Sequence, residues 1–523
     1  MSRSWDYIVV GGGHNGLSAA CTLADAGKSV VVVEKLPFLG GLSASHPYVE
    51  AAPHHLLSMG AMDNMFMAST SLATDLELSK FGYSSVVLEH PYGWMNEDGD
   101  TLLLFADFER TISEIARFSR RDAETYRTIR HSIDFLLGLQ ARFGNQPPRA
   151  FGKLDLARLA MKLAGDKEVR RFLGRAIATS AYEMIGETFE SDAMRGLWAF
   201  WSGMLGPGDL DGTGVYIVGF GLVHRSGVHR PIGGMSGLVG AMERRFRRKG
   251  GEILIDSAVV EIVVDEKHAT GVRLENGDVL GARSGVLASC APQITLGNLV
   301  ADGVLDKKVR DRIGFIPANS ANVAPFKIDI AVGGRIGLPR AEAKRQKLDG
   351  ADVRKATFMT GTLEDHVEQL AAMKAGSNVA VPPVYMAILS ANDSTIAPRG
   401  GDVFYLHSNV PAVPVGGWTA RKATTEELIT ASATRFVDGL DAEIGRTVMS
   451  PADFESRFGT PKGCYFHVDM LPTRLGANRP AVGLGNYSTP VDRLYIAGAG
   501  AHPGGGVSGW PGRLAAQEAL ARN

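Results

Sequence analysis

A chain of 523 residues is longer than a single hydrophobic core usually serves, so two domains are expected. With 45% hydrophobic and 21% charged residues and a net charge of −1, it has an ordinary globular composition and no field to attract nucleic acid or acidic partners. Its three cysteines, Cys21, Cys290 and Cys464, are far apart and form no CxxC, which argues against a redox disulfide, a disulfide framework and a zinc site.

The first element is an apolar strand, Tyr7-Ile8-Val9-Val10, that runs into Gly11-Gly12-Gly13-His14-Asn15-Gly16 and then a helical pattern. This is the strand–turn–helix context of a dinucleotide fingerprint. Gly11 allows the tight turn, Gly13 lets the backbone approach phosphates, and Gly16 lets the helix pack closely on the strand. The helix buries Leu17, Ala20, Cys21 and Ala24, and its N-terminus presents free N–H groups to an anion. After Gly27 a second strand, 29–33, ends in Glu34, about 20 residues past the glycines, where an acid accepts from ribose hydroxyls. Turn chemistry alone would explain one or two of these glycines, not the ordered set. An acid at that position also disfavours the extra phosphate of NADP. Lys35 and then Gly40-Gly41-Leu42 follow.

Segment 63–230 is mostly helical by pattern. Ile112, Ile115, Ala116 and Ser119 share one face, as do Leu154, Leu156, Leu159 and Leu163, and 145–148 is a loop. Two stretches, 59–67 and 197–201, are unusually apolar and rich in Met or Trp. They suit either an apolar substrate tunnel or plain core. Next, Pro231-Ile232-Gly233-Gly234-Met235 introduces a helix with Leu238, Met242 and Phe246 on one face. It ends in the basic run 244–249 before Gly250-Gly251, read as a solvated helix stop or as peripheral contact with an anionic membrane. Strands are expected at 252–256, 259–264, 270–275 and 285–288, with a hairpin turn at Asn276-Gly277. Segment 299–450 mixes helices with strands at 322–332, 384–389 and 402–409. No Ser-His-Asp set, paired carboxylates or metal-spaced cluster appears, so no metal is expected.

Near the end, a strand at 494–497 runs into Gly498-Ala499-Gly500-Ala501-His502-Pro503-Gly504-Gly505-Gly506, with a last helix carrying Leu514, Ala515 and Leu520. So many glycines after a strand suit a backbone lying flat against a large planar ligand. One long cofactor touched by both ends of the chain points to FAD.

The run Gly-Gly-Gly-His-Asn-Gly-Leu-Ser-Ala-Ala at 11–20, the closing segment from Leu494 to Arg513, Arg479-Pro480 and Thr489-Pro490-Val491 resemble one family. It is the phytoene desaturase and phytoene dehydrogenase-related FAD-dependent oxidoreductases, amine oxidase-like flavoproteins, with the His-Asn pair resembling the pyridine nucleotide-disulphide oxidoreductase domain-containing protein 2 group. The resemblance implies an α/β fold: a Rossmann-type FAD-binding domain from 1–62, 231–298 and 451–523, with an inserted α+β substrate domain from 63–230 and 299–450. It implies that His14, Asn15, Lys35 and Gly40-Gly41-Leu42 extend the nucleotide site and that Val259 meets adenine through its backbone. It further implies that Gly498 and Gly500 clear the ribityl and pyrophosphate, and that Gly506, Val507 and Ser508 lie by the flavin ring. There, glycines 504–506 open the last helix toward the flavin N1–C2 edge, and Trp510 and Pro511 flank the substrate.

On the same footing Lys327 corresponds to a lysine holding water at flavin N5, although an exposed lysine fits the residues equally. His502 belongs to the matched segment and is a candidate for the cofactor site. His467 is near it in sequence, and His54-His55 is either a flavin neighbour or an ordinary loop pair. The implied activity is hydride removal from an apolar or amphiphilic small molecule at a C–C or C–N bond, with reoxidation by oxygen, a quinone or another carrier. Amine or N-heterocycle oxidation is the alternative, and a structural or non-redox flavin, serving an isomerase or partner-binding role, the alternative of another class. A dimer is compatible with the sequence. With no apolar run of membrane-spanning length and a nucleotide strand beginning at Tyr7, a cytoplasmic protein is expected.

Overall fold

The computed structural model describes residues 3–522. Its first sheet runs in the order Val259–Asp265, His268–Leu274, Val279–Ala288, Ser4–Val10, Val30–Val33, Glu252–Leu254, with Leu494–Ile496 also paired to Val279–Ala288. The strands around Ser4–Val10 are parallel to it. Val30–Val33 is four valines buried on both faces, as a central parallel strand between helical layers requires. The hairpin expected at Asn276-Gly277 forms, with Gly277 at φ +91°.

Helices His14–Asp25 and Met235–Arg248 cover this sheet, and Leu238, Met242 and Phe246 are fully buried. The basic run 244–249 is largely engaged by the protein. Arg245 is 5% exposed and holds Asp25 at 2.8 Å, and Arg244 donates to the Phe81 carbonyl. The last helix, Trp510–Arg522, lies against His14–Asp25 so closely that a Cβ on Gly512 would meet the Asn15 carbonyl oxygen at 1.8 Å. The first and last elements of the chain therefore share one core.

A second sheet runs Glu443–Met449, Val323–Val332, Asp402–Pro411, Tyr385–Ile388, Thr357–Met359, Tyr92–Met95, Thr101–Leu104. Alternation divides its long strand Val323–Val332 between two environments. Phe326, Ile328, Ile330 and Val332 enter a core with Trp418, whereas Ala331 joins the helical core around Trp198 and Phe200, and Pro325 and Lys327 face a cavity.

Three expectations need correction. The helix Lys153–Gly165 forms but buries no residue, and Leu154 is 73% exposed, on the side opposite Leu159 and Leu163. The last helix starts at Trp510, beyond glycines 504–506, because those residues continue as loop. Leu299, Leu305 and Ile313 pack with the first sheet, since the helix Lys307–Gly314 folds back onto it, so that core extends past residue 298.

Candidate functional site

One cavity of about 590 Å³ runs from the carboxyl ends of the first sheet to the face of the second. That is where open α/β sheets bind ligands, and the volume suits an organic ligand. At the first end, Gly11, Gly13, His14 and Asn15 line it, with Glu34, Lys35, Gly40, Gly41, Leu42 and Val259. The helix His14–Asp25 has Gly13 at its N-cap with no side-chain capping bond and no acid in its first turn. Its leading N–H groups are therefore left for an anion. A Cβ on Gly13 would find only the Gly40 carbonyl, 3.8 Å away. Protein packing does not demand glycine there, and open cavity lies beyond it. Buried Asn15 Oδ1 has no partner. An uncapped helix and an unfilled glycine cradle together fit a dinucleotide phosphate, whereas the Asn15 oxygen, being an acceptor, would need a donor such as a ligand hydroxyl.

Glu34 ends the strand as expected, and the protein also uses it. Oε2 accepts from Gly12 N–H at 2.7 Å and Oε1 from Leu36 N–H at 2.9 Å, so the carboxylate braces the glycine turn while facing the cavity. Burial raises its pKa, opposed by those two N–H groups.

His14 joins the two glycine segments. Its Nε2 lies 3.2 Å from the Gly506 carbonyl, which can only accept, so Nε2 carries the proton and Nδ1 accepts from Ser43 Oγ at 3.0 Å. Burial lowers the imidazole pKa to about 4, in keeping with that neutral tautomer. Gly506 and Val507 line the cavity. Gly16, Gly498, Gly500 and Ser508 do not. A Cβ on Gly16 would meet Gly11 O at 1.9 Å, on Gly498 Ser289 O at 2.2 Å, and on Gly500 Pro292 Cδ at 2.4 Å. These glycines let chain segments pack together. Ser508 Oγ instead accepts from Trp510 N–H at the start of the last helix, and Trp510 and Pro511 are buried off the cavity.

The histidines exchange places relative to expectation. His502 leaves the cavity because its Nε2 donates to the Phe143 carbonyl at 2.9 Å, and His54 and His55 lie off the wall too. His467 lines it, with Nδ1 unpartnered and its pKa lowered to about 3 by burial. Behind it Arg479, wholly buried, donates to the carbonyls of Phe466, Val468, Asp469 and Ala499, fixing the loop against the glycine segment.

The far end is walled by side chains from distant segments: Met62, Met65, Phe66, Tyr92, Trp201, Tyr385, Tyr405 and Tyr465. Tyr405 donates to Gly60 O, Tyr465 to Met204 O and Tyr92 to Asp63 Oδ2. With those hydroxyls committed, these three tyrosines offer the cavity mainly aromatic carbon. Lys327 is no surface lysine. It is 1% exposed, lines the cavity, and donates from Nζ to the Ser58 carbonyl and to Asp329, its same-face neighbour on the strand. Nζ lies 4.3 Å from the Tyr405 ring centroid, and burial drives the ammonium pKa well below its ordinary value. His407, directly across the ladder, is held neutral, its pKa about 3, by burial and then by the charge of Lys327.

Sequence reasoning did not find Asp63, Tyr92, Tyr385, Tyr405, His407 or Tyr465. Only the apolar stretches 59–67 and 197–201 hinted at this wall, through Met62, Met65 and Trp201.

The flavin containing amine oxidoreductase family matches residues 16–326, more than half of the chain. The pyridine nucleotide-disulfide oxidoreductase domain-containing protein 2 of Rattus norvegicus is 27% identical over 558 residues, covering 99% of this chain and 93% of the relative. The neurosporene-forming phytoene desaturase of Rhodobacter capsulatus is 26% identical over 525 residues, covering 96% and 90%. Among solved structures, wild-type putrescine oxidase bound to putrescine superposes with a TM-score of 0.60 at 17% identity, covering 100% of this chain and 99% of that one. This last likeness concerns the fold alone. The chain belongs to the flavin containing amine oxidoreductase family and is an FAD-dependent oxidoreductase.

Proposed function

We propose that this protein removes a hydride from an apolar or amphiphilic small molecule at a C–C or C–N bond. The observation that carries the reading is the single cavity joining an uncapped helix N-terminus to an aromatic wall with a buried lysine. In this reading Gly11, Gly13, His14, Asn15, Gly40, Gly41 and Leu42 hold the phosphates and their surroundings. Glu34 and Lys35 meet the adenosine ribose, Val259 the adenine, and Gly506 and Val507 the flavin ring. The parts of the chain serving FAD are 1–62, 231–298 with the stretch as far as Ile316 that packs on the same sheet, and 451–523, and 63–230 with the rest of 299–450 serve the substrate.

Bound FAD supplies the hydride acceptor, so the protein itself needs no metal and no catalytic acid pair. Its side chains bind, orient and exclude water. Tyr92, Trp201, Tyr385, Tyr405 and Tyr465 would pack an apolar substrate, and Lys327 would hold a water or a proton at Nζ beside the reacting carbon. A desaturase among the relatives acts on phytoene by its name, in keeping with such a wall. Oxygen, a quinone or another carrier would restore the oxidised cofactor.

Amine oxidation is a second reading. It is favoured by the carboxylate of Asp63 on the cavity wall, an acceptor for a substrate ammonium, although burial raises its pKa and the buried Arg230 already acts on it. Anaerobic titration of the yellow protein against terpenoid, long-chain and amine panels tests both readings. Bleaching of the flavin absorbance by an apolar compound is expected. Bleaching by amines alone would select the second reading, and a flavin that no compound reduces would favour a non-redox role.

A further inference from the structure

The helix Lys153–Gly165 buries none of its thirteen residues. Its inward side is half-buried at Asp155, Leu159 and Leu163, and Asp155 is held by Arg142 at 2.8 Å. Leu154, Ala157, Met161 and Ala164, spaced to form one stripe, all face outward and exposed. Leu154 is 73% and Met161 66% exposed, and Ile177 on the next helix is 55% exposed. The outward face of a surface helix is ordinarily its polar one. Here apolar side chains meet water, those of the stripe and also Leu156 outside it, while Leu159 and Leu163 turn inward.

The cations are placed on the flanks. At helical spacing Arg158 and Lys162 border the stripe on one side and Lys153 on the other, and none of the three has an ion-pair partner among the described residues. Segment 149–175 carries eight Lys or Arg against three Asp or Glu, in a chain whose net charge is −1. The ion pair of Arg149 with Glu518, in the last helix, fastens this segment to the body of the protein. Two copies meeting twofold along the stripe would set the same cations against each other. A negatively charged headgroup layer over hydrocarbon complements both the stripe and its flanks. Among the described residues no helix is long and apolar enough to cross a membrane, so any such contact lies in the interface.

We propose that Lys153–Gly165 docks the protein on an anionic lipid surface, with Leu154 and Met161 entering the headgroup–acyl boundary. Such docking is independent of the proposed reaction. The experiment is flotation of the flavin-loaded protein with vesicles of phosphatidylcholine alone or of phosphatidylcholine and phosphatidylglycerol in equal parts. Light scattering in parallel gives its mass, and flavin absorbance confirms that each variant is folded. The protein is expected to float with the mixed vesicles and not with phosphatidylcholine alone. The triple variant K153Q/R158Q/K162Q should bind about a hundredfold more weakly, about fivefold for each cation, and L154E/M161E should not float. No flotation with anionic vesicles, or undiminished flotation of both variants, would overturn the proposal. So would a dimer that L154E/M161E converts to monomer, which would assign the stripe to a second copy.

Discussion

At one end the cavity is walled by backbone: the turn at residues 11–13, the first N–H groups of His14–Asp25, and the Gly40-Gly41 bend. At the other it is walled by side chains: Tyr92, Trp201, Tyr385, Tyr405 and Lys327, from strands and a helix far apart in sequence. A backbone site needs room and unpaired N–H groups, so its demands fall on glycines in a fixed local order. A side-chain site needs only that the fold bring certain groups together, and many sequences can do that. The first kind of wall suits a constant ligand and the second a particular substrate.

The contrast can be broken most severely at Gly13. In Gly13→Trp the side chain would enter the space facing the helix N-terminus, and the purified protein is expected to be colourless, with circular dichroism showing it folded. Normal flavin loading would remove the phosphate end from the account.

The next largest effect is expected from acid. Burial lowers the pKa values of His14, His224 and His366 to about 4 and of His407 and His467 to about 3, from an ordinary 6.5. Between pH 6.5 and about 4 the unfolded chain binds protons that the folded chain refuses, so stability present above pH 6.5 is lost as pH falls. Each such histidine contributes a slope of about 1.4 kcal/mol per pH unit in that window. Thermal unfolding followed by flavin fluorescence should show Tm level above pH 7 and falling steeply below 6.5. A flat Tm to pH 4.5 would contradict the neutral burial of these rings.

Lys327→Met addresses the side-chain end. Flavin content is expected to stay normal while turnover falls by about 100-fold, the low end for loss of a positioned proton carrier. The variant also leaves Asp329 buried without its cation, so Lys327→Met/Asp329→Asn separates chemistry from packing. Equal turnover in wild type and both variants would reduce Lys327 to a structural role. The mildest expected effect is at the junction of the two glycine segments. His14→Phe deprives the Gly506 carbonyl of its donor, worth about 1 kcal/mol, or roughly fivefold in FAD affinity by titration of the apoprotein.

The backbone end was legible because its requirements are local. Strand, glycine turn, helix and terminal acid lie within residues 7–34, and the structure places Gly13, Glu34 and Val259 on one cavity. The closing segment was legible only in part. Gly506 and Val507 reach the cavity, but Gly498 and Gly500 are glycine because Ser289 and Pro292 press against them, and nothing in a single sequence distinguishes a neighbour of that kind from a ligand. Lys327 illustrates the remaining difficulty. Alternation along Val323–Val332 sets Lys327 and Asp329 on one face, but which face meets the cavity depends on Asp402–Pro411 pairing alongside and on helices from elsewhere covering the sheet. His502 and His467 exchanged roles for the same reason, through a hydrogen bond to Phe143 that no local pattern announces. The exposed stripe of Lys153–Gly165 shows that leucine spacing reports a helix without reporting which side is covered.

The central claim is that one FAD lies between the two ends of the chain. A crystal structure of the yellow protein tests it most directly. Phosphate oxygens are expected within hydrogen-bonding distance of the backbone N–H groups at His14 and Asn15, and the isoalloxazine between Gly506–Val507 and Lys327. A flavin held elsewhere, or a nicotinamide in that position, would contradict it.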